Sequence, residues 1–228
     1  MEKGNDKNTV LLTVIGIATL LVAIVGATFA YFTASVNYTD ATSTLYIKAA
    51  AGGTTEYTGG EQVTLENIYP RTDAWAEKVI SLTYKNSATE LTFRYKIDLV
   101  YTNTLASDYL TYTFEPVNSG EVCVGTNQPS TCTPKVSMDK ESGDSVIALQ
   151  NGEFKNEDDP DYTTDAGAGV IALGQGSFVR PTASGNETPS STHVYKLTIR
   201  FPQQANVNQN GSQDKRFTAY LRLTDLSA

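Results

Sequence analysis

LTFRYKIDLVYT, residues 91–102, alternates without interruption: Leu91, Phe93, Tyr95, Ile97 and Leu99 fall on one side, and Thr92, Arg94, Lys96 and Asp98 on the other. A period of two is that of an extended strand, whose successive side chains point to opposite faces. A helix would scatter the same residues around its circumference. One face is apolar and the other wet, so this stretch predicts a long strand in a sheet packed on one side.

Working outward, the same pattern recurs. Upstream, Glu77 to Lys85 places Ile80, Leu82 and Tyr84 together, Gln62 to Ile68 alternates before the Tyr69-Pro70 turn, and Ser43 to Ala50 is a further candidate strand. Downstream, Tyr109 to Val117 follows after a turn. Near the end, His193 to Phe201 aligns Tyr195, Leu197, Ile199 and Phe201, and Phe217 to Leu223 aligns Phe217, Ala219, Leu221 and Leu223. The middle is looser. Ser145 to Leu149 and Gly169 to Leu173 are short apolar runs, residues 152–167 are acidic and irregular, and residues 181–192 and 202–214 read as polar loops. Many short strands with turn signals between them and no alternating helices predict an all-β, antiparallel β-sandwich over residues 43–228.

Ahead of it, Val10 to Ala30 carries no charge. About 20 apolar residues match the roughly 30 Å hydrocarbon core of a bilayer, and only a helix satisfies its backbone there. Lys3 and Lys7 precede this helix and the next base is Lys48, so the rest of the chain is expected outside. Residues 1–30 are either a signal peptide or a retained membrane anchor. Thr28 and Ala30 suit a peptidase cutting before Tyr31, whereas the apolar run exceeds the usual h-region of about 7–15 residues.

The chain has 228 residues and a formal net charge of −8. Residues 1–30 hold two acids (Glu2, Asp6) and two bases (Lys3, Lys7), so the remainder is also at −8. That balance excludes the clustered Lys and Arg that nucleic acids or anionic membrane surfaces need. Catalytic signatures are sparse. His193 is the single histidine, placed at the start of a predicted strand, and reads as a surface residue. There is no H-E-x-x-H, no G-x-S-x-G, and Gly143-Asp144-Ser145 is a chance match to esterase blocks. No enzyme activity and no cofactor are expected. Cys123 and Cys132 flank a turn and suggest a disulfide closing a hairpin. Asp158, Asp159, Asp161 and Asp165 could gather oxygens around Ca²⁺, but they miss the EF-hand spacing, and a solvated acidic loop is the ordinary reading.

Residues 31–42 remain. Phe32, Ala34, Val36 and Tyr38 share one face of an extended strand, with Thr33, Ser35 and Asn37 on the other. This ribbon is either the first strand of its own sandwich or a strand lent to the open edge of a neighbour. If the lent strand and the edge lie at opposite ends of a subunit, the contact is head-to-tail and repeats into a filament.

The order of features resembles the TasA/camelysin family of Gram-positive bacteria, secreted biofilm-matrix fibre proteins matured by a SipW-type signal peptidase. The matching residues are Val25-Gly26-Ala27-Thr28-Phe29-Ala30, Tyr31-Phe32-Thr33 and Ala41-Thr42-Ser43-Thr44-Leu45-Tyr46-Ile47. They continue with Asn67-Ile68-Tyr69-Pro70, Leu82-Thr83-Tyr84-Lys85-Asn86-Ser87 and the alternating strand Leu91 to Tyr101. Ser43 replaces a usual glycine, Arg71-Thr72 replaces a common Gly-Asp, and the Cys123–Cys132 region and acidic loop have no counterpart in the family. The resemblance implies a jelly-roll-like sandwich, cleavage between Ala30 and Tyr31, and extracellular fibres in which Phe32, Ala34, Val36 and Tyr38 act as a donor strand between copies. The competing expectations are a monomeric adhesin anchored by residues 10–30, a camelysin-like secreted protease or other hydrolase using His193, and a type IV-pilin-like filament. The last lacks the usual start, and the end of the chain carries no sortase signal.

Overall fold

The computed structural model describes residues 13, 15–17, 19, 38, 39, 45–48, 53–59, 61–85, 92–105, 109–124, 131–156, 158, 159, 162, 164, 165, 168–179, 181, 189–209 and 215–226. The chain divides into two compact units, Met1–Val36 and Asn37–Ala228. In the first, Thr13, Ile15 to Ile17 and Thr19 are helical and exposed. Thr19 Oγ1 donates to the carbonyls of Ile15 and Gly16 at 2.8 and 3.0 Å, the local bond a hydroxyl makes inside a helix. Among the described residues no helix is long and apolar enough to cross a membrane. Most of Val10 to Ala30 lies outside them.

The second unit is nearly all β. Its strands are β1 (Tyr38–Thr39), β2 (Leu45–Lys48), β3 (Thr54–Thr58), β4 (Val63–Glu66), β5 (Ala76–Lys85), β6 (Phe93–Asn103), β7 (Thr111–Pro116), β8 (Ser119–Val124), β9 (Thr131–Ser137), β10 (Gln150–Glu153), β11 (Thr164–Asp165), β12 (Ala168–Phe178), β13 (Ser190–Arg200) and β14 (Arg216–Asp225). One six-stranded sheet runs β1-β14-β6-β12-β11, with β4 also on β14; the other runs β10-β7-β13-β5-β3-β2. Every pairing is antiparallel. The pairs β4–β14, β5–β13, β6–β12 and β7–β10 nest inside one another like one long hairpin wound back and forth between the two sheets.

The alternation of residues 91–102 governs this arrangement. In β6, Phe93, Tyr95, Ile97 and Leu99 are buried in the core, and the register Leu221↔Leu99 and Leu223↔Ile97 brings the apolar face of β14 beside them. Across from it lie Ile80, Leu82 and Tyr84 of β5 and Leu197 and Ile199 of β13. Rings bridge the sheets: Tyr84 stacks on Phe93 at 5.6 Å and on Phe178 at 5.7 Å. Each such side chain contributes about 1.5–3 kcal/mol by burial, and each ring pair about 0.5–1.5 kcal/mol more.

Four strands go beyond the sequence reading, among them β11 within the stretch read as irregular. β3 and β10 are short and polar, and each is completed by a neighbour rather than by its own pattern. β12 extends over 11 residues instead of the run Gly169 to Leu173. Its glycines conceal it from propensity, yet packing requires them. A Cβ on Gly176 would stand 2.4 Å from the Tyr95 ring, and Gly174 takes φ +135° at a bulge following Ala172. The hairpin β8–β9 forms a separate two-stranded sheet. It packs on the outward face of β5 and β13, where Val79 and Val194 are buried beneath it.

Candidate functional site

Two residues of the N-terminal ribbon, Tyr38 and Thr39, are described, and they lie at one edge of the domain. Ala30, Tyr31, Phe32, Ala34 and Val36 lie outside the described residues. Tyr38 and Thr39 form β1 and pair with Leu223 and Arg222 of the same chain. On the same edge of β14, β4 pairs from Val63↔Ala219 to Glu66↔Arg216. β1 and β4 therefore run in one direction, end to end, and divide this edge into two short holds. Thr39's partner Arg222 also reaches along the outward face of the sheet to a buried carboxylate: its Nη2 lies 3.3 Å from Asp98 Oδ2, while Lys96 Nζ lies 2.9 Å from Asp98 Oδ1. Asp98 is 2% exposed, and two cations offset the desolvation of its charge. Among the described residues β1 thus pairs with the sheet at Tyr38 and Thr39, next to an ion-paired carboxylate on β6.

His193 overturns its sequence reading: it is 0% exposed, not a surface residue. The strand begins at Ser190, so His193 is internal to it, paired with Leu82 and stacked on Phe178 at 3.9 Å. Its Nε2 lies 3.2 Å from Asp144 Oδ2 and its Nδ1 lies 2.6 Å from Tyr95 Oη. Tyr95 Oη in turn lies 2.6 Å from Tyr195 Oη, which accepts the Ile147 N–H at 3.0 Å.

Asp144, in the turn after Glu141, gathers the other end. It accepts the N–H groups of Glu141 (3.1 Å) and Val179 (2.7 Å) and the Ser191 hydroxyl (2.5 Å). With Asp144 ionised, the neutral imidazole must donate from Nε2. Tyr95 then donates to Nδ1, Tyr195 to Tyr95, and Ile147 to Tyr195, so every buried proton finds an acceptor.

Burial pushes His193 down to about 4, against the pull of the Asp144 carboxylate. Burial also raises Tyr95 well above its ordinary value and Tyr195 to about 12. The sequence reading passed over Asp144, Ser191, Tyr95 and Tyr195 as partners. The usable signal was a Gly-Asp-Ser turn in a chain with one histidine, and it names no partner.

A Ser-His-Asp hydrolase needs a serine that donates to the imidazole and faces substrate. Here Ser191 hydrogen-bonds Asp144 and the Asp139 carbonyl (2.9 Å), and Ser191, His193 and Asp144 are all buried. The network joins β6, β13, Val179 and the turn at Asp144.

Cys123 is disulfide-bonded and stands opposite Cys132 in the register of β8 and β9. In the acidic loop, Asp158 is exposed, Asp159 is 3.2 Å from Lys155 Nζ, and Asp165 belongs to β11. Asp161 lies outside the described residues. Among the described residues no group of three or more His, Cys, Asp or Glu is placed to hold a metal ion.

These elements define an all-β protein of sandwich-like architecture, with an edge-bound first strand and a buried imidazole network. Comparison with protein-family models, curated proteins and solved structures finds no match.

Proposed function

We propose that this chain is an exported, non-enzymatic structural protein that assembles head-to-tail into cell-surface or biofilm-matrix fibres through its N-terminal strand. The observation that carries the reading is the place of β1: Tyr38 and Thr39 pair at the edge of β14, beside Leu223 and Arg222. Such a strand costs little to exchange with that of another copy. Phe32, Ala34 and Val36 would then fill the neighbour's groove, each large side chain contributing about 1.5–3 kcal/mol. A SipW-type peptidase would free the ribbon by cutting between Ala30 and Tyr31.

The nested pairs β4–β14, β5–β13, β6–β12 and β7–β10 favour a jelly roll as the finer description of the sandwich. That agrees with the resemblance to the TasA/camelysin family.

The test is electron microscopy of the released protein. Wild type is expected to form filaments, and Val36→Asp is expected to give folded subunits without them. Filaments that persist in Val36→Asp would remove the assignment. N-terminal sequencing should start at Tyr31; an intact leader would favour an anchored surface protein instead.

A further inference from the structure

We propose that Asp139–Leu149 is a strap along the edge of β12 that acid loosens at Ile147, and that His193 is the group that loosens it. Besides the bonds of Asp144 to Val179, Ser191 and His193, the strap is stitched at three further places. Asp139 pairs with Thr192 of β13 (N–O distances 2.9 and 2.7 Å), and Ser145 pairs with Ser177 of β12 (2.9 and 2.8 Å). The third stitch is the Ile147 N–H donated to Tyr195, with the Ile147 side chain buried against Gly174. Ser145 and Ile147 therefore line β12 beside Ser177 and Gly174, covering that length of its outer edge.

The groups facing His193 are Asp144 and Lys140 of the strap, Tyr95 of β6, Tyr195 and Ser191 of β13, and the uncharged Phe178 of β12. In the neutral state the hydrogen bonds run one way, from Ile147 through Tyr195 and Tyr95 to Nδ1. A proton added at Nδ1 turns that nitrogen into a donor. Tyr95 Oη must then accept it and turn its own proton toward Tyr195. Tyr195 Oη is left accepting from both Tyr95 and Ile147, and its own hydroxyl proton has no acceptor among the described residues. A buried donor without a partner is costly, and the way to satisfy it is to admit water at the Ile147 stitch. Acid therefore loosens the strap at Ile147, while the Ser145–Ser177 pair and the Asp144 end stay in place.

Hydrogen exchange on the full chain at pH 7 and pH 4, corrected for intrinsic rates, tests this. The Ile147 amide is expected to lose protection about tenfold or more at pH 4, relative to Leu99 in the core of β6. His193→Gln, uncharged at both pH values, should lose this acid response. Tyr195→Phe removes the acceptor of the Ile147 N–H, so Ile147 should exchange fast to the same degree at both pH values. In wild type at pH 7, ¹⁵N spectra of the imidazole should show Nδ1 bare and Nε2 protonated. An Ile147 that tracks Leu99 at both pH values, an equal acid response in either variant, or a proton on Nδ1 at pH 7 would overturn the proposal.

Discussion

An imidazole walled in by Phe178, Tyr95 and Asp144 ties folding to acidity. His193 titrates at about 4 when folded, against about 6.5 in an open chain. The unfolded chain therefore takes up the proton first. The stabilising contribution is whole above pH 6.5, falls as the pH drops, and is gone below about 4. Integrated over that window it amounts to about 3 kcal/mol. Urea unfolding of wild type and His193→Gln at pH 7 and pH 4.5 should show a larger acid loss in wild type; equal losses would mean that the imidazole is not buried neutral. The sequence hid this residue because the Ser-Ser-Thr run before it reads as loop. Hydrogen bonding to Lys85, Tyr84 and Thr83 makes that run strand instead. Burial was decided by the neighbour, not by the residues themselves.

At the scale of elements, the strands whose own alternation is strong were legible: β5, β6, β7, β13 and β14 lie within a few residues of where the period of two puts them. β12 was seen only at its Gly169 to Leu173 core, since glycines that make room for Tyr95 carry no strand signal. β3 and β10 have little pattern of their own and exist because an edge was available. The cysteine hairpin was legible as a pair and as a turn, but not as a cover for β5 and β13. A disulfide closing a loop of about ten residues adds roughly 2–3 kcal/mol by the chain-entropy argument. Cys123→Ser should therefore lower stability by that amount in chemical denaturation. It should also raise exchange in β8 before β5. Loss of the whole sandwich on reduction would mean that the hairpin is part of the core.

For the whole molecule, fold class could be read from the sequence, whereas strand order could not. The neighbours β6 and β14, or β5 and β13, lie far apart along the chain and meet through registers that no local pattern encodes. The apolar residues Phe32, Ala34 and Val36 lie outside the described residues; the edge of β14 that pairs with β1 had no signal in the sequence. Charge makes a prediction at this scale. Copies at −8 repel one another, and the Debye length shortens from about 30 Å at 0.01 M salt to about 8 Å at 0.15 M. Filament growth followed by light scattering should accelerate over that range. Slower growth would point to opposite charges meeting across the contact, which the strand-exchange reading does not require.

The cross-linked hairpin also sets an order of events. While Cys123 is still a thiol, its flap over Val79 and Val194 is untied, and that broad flank of the newborn chain is the stickier one. A copy in which Cys123 stays reduced should therefore show this flank to solvent and associate through it.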